Sequence, residues 1–145
     1  MPTLLQNTVR SKVTARLAEP HEGELVKSIF TQCFEAPCHW LDWTDVSPHW
    51  IIGEVNGEPK GLIMVGLGKP WGWMECLMVH PSLSKVTKGR LFTALERAAY
   101  SVLRASGAQG AVCTVSHANP SLHDIVQRKR FVPIGNGQTY LKRLL

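Results

Sequence analysis

Glu75 is a carboxylate set in an otherwise apolar run, Trp73-Met74-Glu75-Cys76-Leu77-Met78-Val79, which ends at His80-Pro81. A half-buried carboxylate on a strand can take a proton from an amine; it can equally face solvent or pair with a lysine. His80 can act as a base or cap the turn before Pro81. Ser116-His117 offers a hydroxyl beside an imidazole, although adjacent residues on one chain rarely form a nucleophile–base pair. Tyr140 can donate a proton or simply pack across strands. Cys33, Cys38, His39 and His49 carry zinc-ligand atoms, but no second C-x-x-C or H-x3-H pair accompanies them, and no metal is expected. Gly66-Leu67-Gly68-Lys69-Pro70 lacks the phosphate-loop frame, with Pro70 where a Ser or Thr would bind Mg²⁺, and reads as a hairpin turn. Lys85, Lys88 and Arg90 can meet phosphates, nucleic acid or only solvent.

The spacing of apolar residues predicts the elements that must position these groups. Alternation over 13–18 gives a short strand. Pro20 introduces a helix in which Val26, Ile29, Phe30 and Cys33 share one face, with Glu22 and Glu24 in its first turn, where negative charge suits the dipole. The stretch 34–49 mixes aromatics, acids and prolines and reads as a short helix within a loop. Its Trp40 and Trp43 can wall a substrate pocket or pack as core. Residues 50–55 and 61–66 flank Asn56-Gly57, a hairpin signal. A turn at 68–72 leads to a third strand at 73–79. From about 87 to 105, Leu91, Leu95, Ala98 and Val102 recur at helical spacing, and Gly107 follows as a cap. Residues 111–115 read as a buried strand and Asn119-Pro120 as a helix start, with Leu122, Ile125 and Val126 inward. Residues 131–134 and 139–144 close the chain as a hairpin.

The 145 residues fit one domain, and 44% apolar composition supports a core without staples. The four cysteines form no C-x-x-C pair and read as thiols in a reducing compartment. No apolar run approaches the ~20 residues of a membrane span, and no apolar leader follows the first residues; the expected location is the cytoplasm. Residues 1–84 carry six basic and nine acidic side chains, whereas residues 85–145 carry ten basic and two acidic ones. Such asymmetry suggests an anionic partner for the C-terminal half, or an ordinary solvated face. That half has no interleaving of bases with stacking aromatics, which disfavours nucleic acid.

Three local patterns, in this element order, resemble the GNAT superfamily of acyl-CoA-dependent N-acyltransferases. Arg16-Leu17-Ala18-x-x-x-Glu22 is close to the family's R-x-A-x-x-x-D. The run 73–81, followed by a long helix, is similar to the family's fourth strand. Asn119 and Phe131 resemble its N-x11-F. The resemblance covers about 13–145, leaving 1–12 as a flexible arm. It implies a mixed α/β (α+β) fold, with a mostly antiparallel sheet of about six to seven strands and about four helices. It further implies transfer from acetyl-CoA to an amine of a small molecule or protein by direct attack. Glu75 would be the base, and backbone amides at Leu77, Met78 and Val79 would hold the pantetheine arm. Lys85, Lys88, Gly89 and Arg90 would meet the diphosphate, with Asn119 also at the cofactor.

Three positions depart from the family pattern. Ser84-Lys85-Val86-Thr87-Lys88-Gly89 keeps only the last glycine of the family's [QR]-x-x-G-x-[GA]. Val126 stands where a tyrosine commonly protonates the departing thiolate, and Arg130 where a glycine usually precedes the Phe. These positions carry a second reading: a GNAT fold without catalysis, used for binding or assembly with a protein partner or as a homo-oligomer. Short proteins carried in phage virions resemble it in this loop.

Overall fold

The structure, a computed structural model, describes residues 10–34, 43, 46–114, 120–134 and 139–144. The elements run β1 (Val13–Leu17), α1 (Gly23–Phe34), β2 (Trp50–Val55), β3 (Glu58–Gly66), β4 (Trp71–Val79), α2 (Lys85–Ala105), β5 (Gly110–Thr114), α3 (Pro120–Arg128), β6 (Val132–Ile134) and β7 (Thr139–Arg143). The helix expected within 34–49 falls almost wholly outside the described residues, as do most of the arm at 1–12, the Ser116-His117 pair and Asn119. Lys12 is tied to the first hairpin, its carbonyl accepting the Asn56 N–H at 2.8 Å.

All seven strands form one sheet in the order β1-β2-β3-β4-β5-β7-β6. Every pairing is antiparallel except β4 with β5, which the α2 crossover makes parallel. The last strand, β7, lies between β5 and β6. Asn56 and Gly57 both have positive φ, 52° and 80°, as a two-residue hairpin turn requires.

α2 packs on one face of the sheet. Ser84 caps it, its Oγ accepting the Thr87 N–H at 3.2 Å. Its buried stripe is Leu91, Leu95, Glu96, Ala99, Tyr100 and Leu103. The expected stripe agrees at Leu91 and Leu95. Ala98 and Val102 sit only at its margin, because the inward face advances by four residues per turn along this length. The helix comes this close because the strands beneath carry glycine. A Cβ on Gly61 would lie 2.9 Å from the Met78 carbonyl and 3.0 Å from a Leu91 methyl, and one on Gly53 2.6 Å from Leu91.

α1 covers part of the other face with Val26, Ile29 and Phe30, over Ile52, Leu62 and Met78. Trp43 joins this second core, its ring 5.5 Å from Phe30 and 5.8 Å from Trp50. Trp43 is therefore packed in the core; Trp40 lies outside the described residues. Arg16 fastens the β1–α1 junction, donating to both Glu22 oxygens at 2.6 and 2.8 Å and to Glu54 at 3.0 Å. The Arg16 guanidinium holds the Glu22 carboxyl down at about 2, against burial, which raises it. The R-x-A-x-x-x-E pattern is thus accounted for by an ion cluster joining strand and helix.

Candidate active site

The site grows out of a defect in β4. Its ladder with β3 pairs Met64 with Glu75 and Leu62 with Met78. One residue of β3, Ile63, therefore faces two of β4, Cys76 and Leu77, and Cys76 takes a φ of 53°. This is a β-bulge, which bends a strand and tightens its twist. On the opposite edge, β4 pairs with β5 only from Trp71 to Met74. The ladder stops at Met74, and β5 itself ends at Thr114. A wedge-shaped opening there is lined by Met74, Glu75, Cys76 and Leu77 from β4 and by Cys113 and Thr114 from β5.

A cavity of about 160 Å³ occupies the wedge. Its walls are mostly apolar, with Met74, Leu77, Phe92, Val126 and Phe131 among them, and Glu75, Cys76, Glu96, Cys113 and Thr114 complete the lining. Outside it, a groove of about 480 Å³ runs between the start of α2 and the end of α3. Lys85, Lys88, Gly89, Arg128 and Lys129 line this groove, together with Val79 and Ile125. Phe92 lines both hollows, so the groove and the wedge adjoin at its ring.

Most of the residues expected from the sequence meet here. Glu75 and Leu77 line the cavity, and Val79, Lys85, Lys88 and Gly89 the groove. Met78 lies on β4 past its ladder with β5, with its side chain turned into the α1-side core. Arg90 lines a separate depression on the far flank of α2 with Arg97. His80 occupies its Nδ1 with the Ser82 N–H at 3.1 Å and the Ser82 hydroxyl at 2.6 Å, which makes it a turn cap. Tyr140 is buried, its hydroxyl 2.6 Å from His123 Nδ1. Of the proposed zinc-ligand group, Cys38 and His39 lie outside the described residues, and His49 Nδ1 is 3.3 Å from the Val65 carbonyl.

Glu96, Lys129, Arg128 and Phe92 are site residues that sequence reasoning did not single out. A signal existed for Glu96, the one acid of a helix whose other inward residues are uncharged. Only 7% exposed, it accepts from Lys129 Nζ at 3.0 Å. Lys129 Nζ also stands over the Phe92 ring, 5.4 Å from its centre. Behind them Lys142 donates to the Tyr100 hydroxyl at 3.1 Å. Burial first, and then Glu96, pushes the Tyr100 hydroxyl well above its usual range. Cys113 is pushed up to about 11 by burial first and then by the nearby charges of Glu75 and Glu96. At neutral pH it is a protonated thiol and a poor nucleophile.

The residues fit a phosphate-bearing thioester with a long, slender arm. Four cations flank a groove wide enough for phosphates. A Cβ at Gly89 would meet nothing within 4 Å, so the floor of the groove is open at the helix start. The apolar wedge suits a slender arm. The Ser84 cap takes the Thr87 N–H, which leaves side-chain charge as the larger source of grip on phosphate.

No protein-family model matches the chain, and no curated protein matches it in sequence. Solved structures match in fold. A PaiA N-acetyltransferase from Thermoplasma acidophilum, in complex with coenzyme A, superposes with TM-score 0.70 at 9% identity, over 91% of this chain and 99% of that one. Ard1 from Thermoplasma volcanium gives 0.68 at 14%, over 92% and 98%. yncA, a putative acetyltransferase from Salmonella typhimurium with its cofactor acetyl-CoA, gives 0.64 at 13%, over 92% and 94%. The fold is that of the GNAT acetyltransferases.

Proposed function

We propose that this GNAT-fold chain is an N-acyltransferase that moves an acetyl group from acetyl-CoA to an amine. The observation that supports it most is the cationic groove adjoining, at Phe92, a wedge lined by Glu75. Lys85, Lys88 and Arg128 hold the phosphates of the substrate. The edge of β4 from Leu77 to Val79 holds its pantetheine arm, and Asn119 contributes at the start of α3. The amine attacks the acyl carbon directly and gives its proton to Glu75, while the C–S bond breaks and the electron pair leaves on sulfur. The protonated state of Cys113 supports direct attack over an acyl-cysteine route.

The acceptor enters from the sheet face opposite α2, where Trp71 and Trp73 are 48% and 45% exposed on the strand that carries Glu75. The test is a panel of small amines and peptides incubated with protein and acetyl-CoA, with release of CoA thiol followed over time. Amine-dependent release is the expected result. Absence of release with every amine, from protein that binds CoA, overturns catalysis. One observation favours the second reading, a fold kept for binding or assembly: Ser84 takes the Thr87 N–H that a diphosphate would otherwise use. Under that reading acetyl-CoA does not bind at all. No helix among the described residues is long and apolar enough to cross a membrane, and we place the activity in the cytoplasm.

A further inference from the structure

The reaction proposed above leaves negative charge on sulfur, inside a wedge whose walls are mostly apolar and whose nearest ionisable groups, Glu75 and Glu96, are acids. Charge developing in such a site needs a fixed counter-charge. Val126 lines the wedge and can supply none. Among the described residues two cations stand beside rings that line it, Lys129 over Phe92 and Lys142 over Phe131, each 5.4 Å from the ring centre. Lys129 lines the groove, yet its Nζ is drawn to Glu96, a residue of the wedge, at 3.0 Å, and over Phe92, which lines both hollows. Lys142, by contrast, spends its Nζ on the Tyr100 hydroxyl and lines neither hollow, whereas Lys129 lines the groove and is paired with a carboxylate of the wedge.

We propose that Lys129 is a catalytic residue whose ammonium stabilises the departing thiolate, and that Glu96 is the positioning residue that keeps it at the thioester end of the groove. This rests on the acetyl-transfer reading. The N–C bond forms, the C–S bond breaks and its electron pair goes to sulfur. The proton of the amine goes to Glu75, and the thiolate takes its proton from solvent once released. An ammonium is a weaker acid than a thiol, so Lys129 contributes charge and keeps its protons. A buried carboxylate partner has a second consequence. It stops a long, flexible side chain from turning outward to the phosphates, where Lys85, Lys88 and Arg128 already serve.

The test compares wild type with Lys129→Met, which keeps the length of the stem. The first readout needs no turnover: the ultraviolet absorbance of the thiolate, titrated against pH for CoA bound to each protein. Opposite charge nearby lowers an acid's pKa by about one unit or more, so the bound thiol is expected to titrate about one pH unit lower on wild type than on Lys129→Met. The second readout is kcat, with acetyl-CoA and with S-acetyl-pantetheine, which lacks the nucleotide phosphates. A change of one pH unit in thiolate stability corresponds to about tenfold in rate. Lys129→Met is expected to lose about that factor with both donors, and Lys129→Arg to recover most of it.

Equal titration of the bound thiol on both proteins overturns the proposal. So does a loss confined to acetyl-CoA, which is the signature of a phosphate contact. Removing Lys129 strands the Glu96 charge, which is destabilising. The double variant Lys129→Met/Glu96→Gln therefore carries the same two readouts if the single one does not fold. Failure of wild type to bind CoA overturns the acetyl-transfer reading and this one with it; binding without a thiol shift overturns this one alone.

Discussion

Glu75→Gln is expected to lower kcat/KM for acetyl transfer by about 10²–10⁴-fold, the usual worth of a positioned proton acceptor. Glutamine keeps the size and shape of the side chain but cannot take a proton from the attacking amine. The residue lies one position past the last pair between β4 and β5, Met74 with Cys113. An acceptor amine reaching the wedge meets this carboxylate directly. Because Glu75 contributes no charge to the groove, the variant should bind CoA as wild type does and should keep its melting temperature. An undiminished rate in the variant removes Glu75 from the mechanism.

Leu95→Ala is expected to cost about 2–5 kcal/mol of stability, the range for deleting a fully buried leucine. The total for a domain of this kind is about 5–15 kcal/mol. Leu95 is wholly buried and rests on strand glycines: a Cβ on Gly61 would sit 3.2 Å from one of its methyl groups, and one on Gly53 3.1 Å from the other. Glycine has no side chain that could move to fill the space, and the sheet is held by pairing on both sides. The expected result in urea unfolding is a lower midpoint with an unchanged slope. A cost below about 1 kcal/mol would mean that α2 settles onto the sheet, contrary to the close packing described.

The hairpin of β2 and β3 is legible in the sequence because Asn56-Gly57 allows few alternatives: both residues accept positive φ, and the flanking runs are apolar. The start of α2 is legible less well, at about 87 against the observed Lys85, because a serine cap is a single hydrogen bond with no periodic signature. The cofactor path is legible only in part. Lys85, Lys88 and Gly89 are neighbours on one helix turn, so local spacing brings them together. Arg90 is their neighbour in sequence too, yet one further residue turns it by roughly 100° onto the flank with Arg97. Glu96 and Lys129 stand 33 residues apart, and only the tertiary fold makes them a pair. The bulge at Cys76 has no glycine to announce it, since it follows from a mismatch in register between β3 and β4. The positions of Trp71 and Trp73 are likewise set by what leaves that sheet face uncovered, which is a tertiary property.

The central claim is that the cationic groove and the wedge together hold CoA. The most direct measurement is the melting temperature of the protein with and without millimolar CoA and acetyl-CoA. Ligand at about 100 times Kd adds about 2.7 kcal/mol. At about 2–4 °C per kcal/mol for a domain near this size, melting should rise by several degrees. Charge reversal at Lys88 should diminish the rise, because the groove would lose a phosphate partner and gain a like charge. An unchanged melting temperature with folded protein at saturating CoA would contradict the claim, and would leave the fold as a scaffold for other contacts.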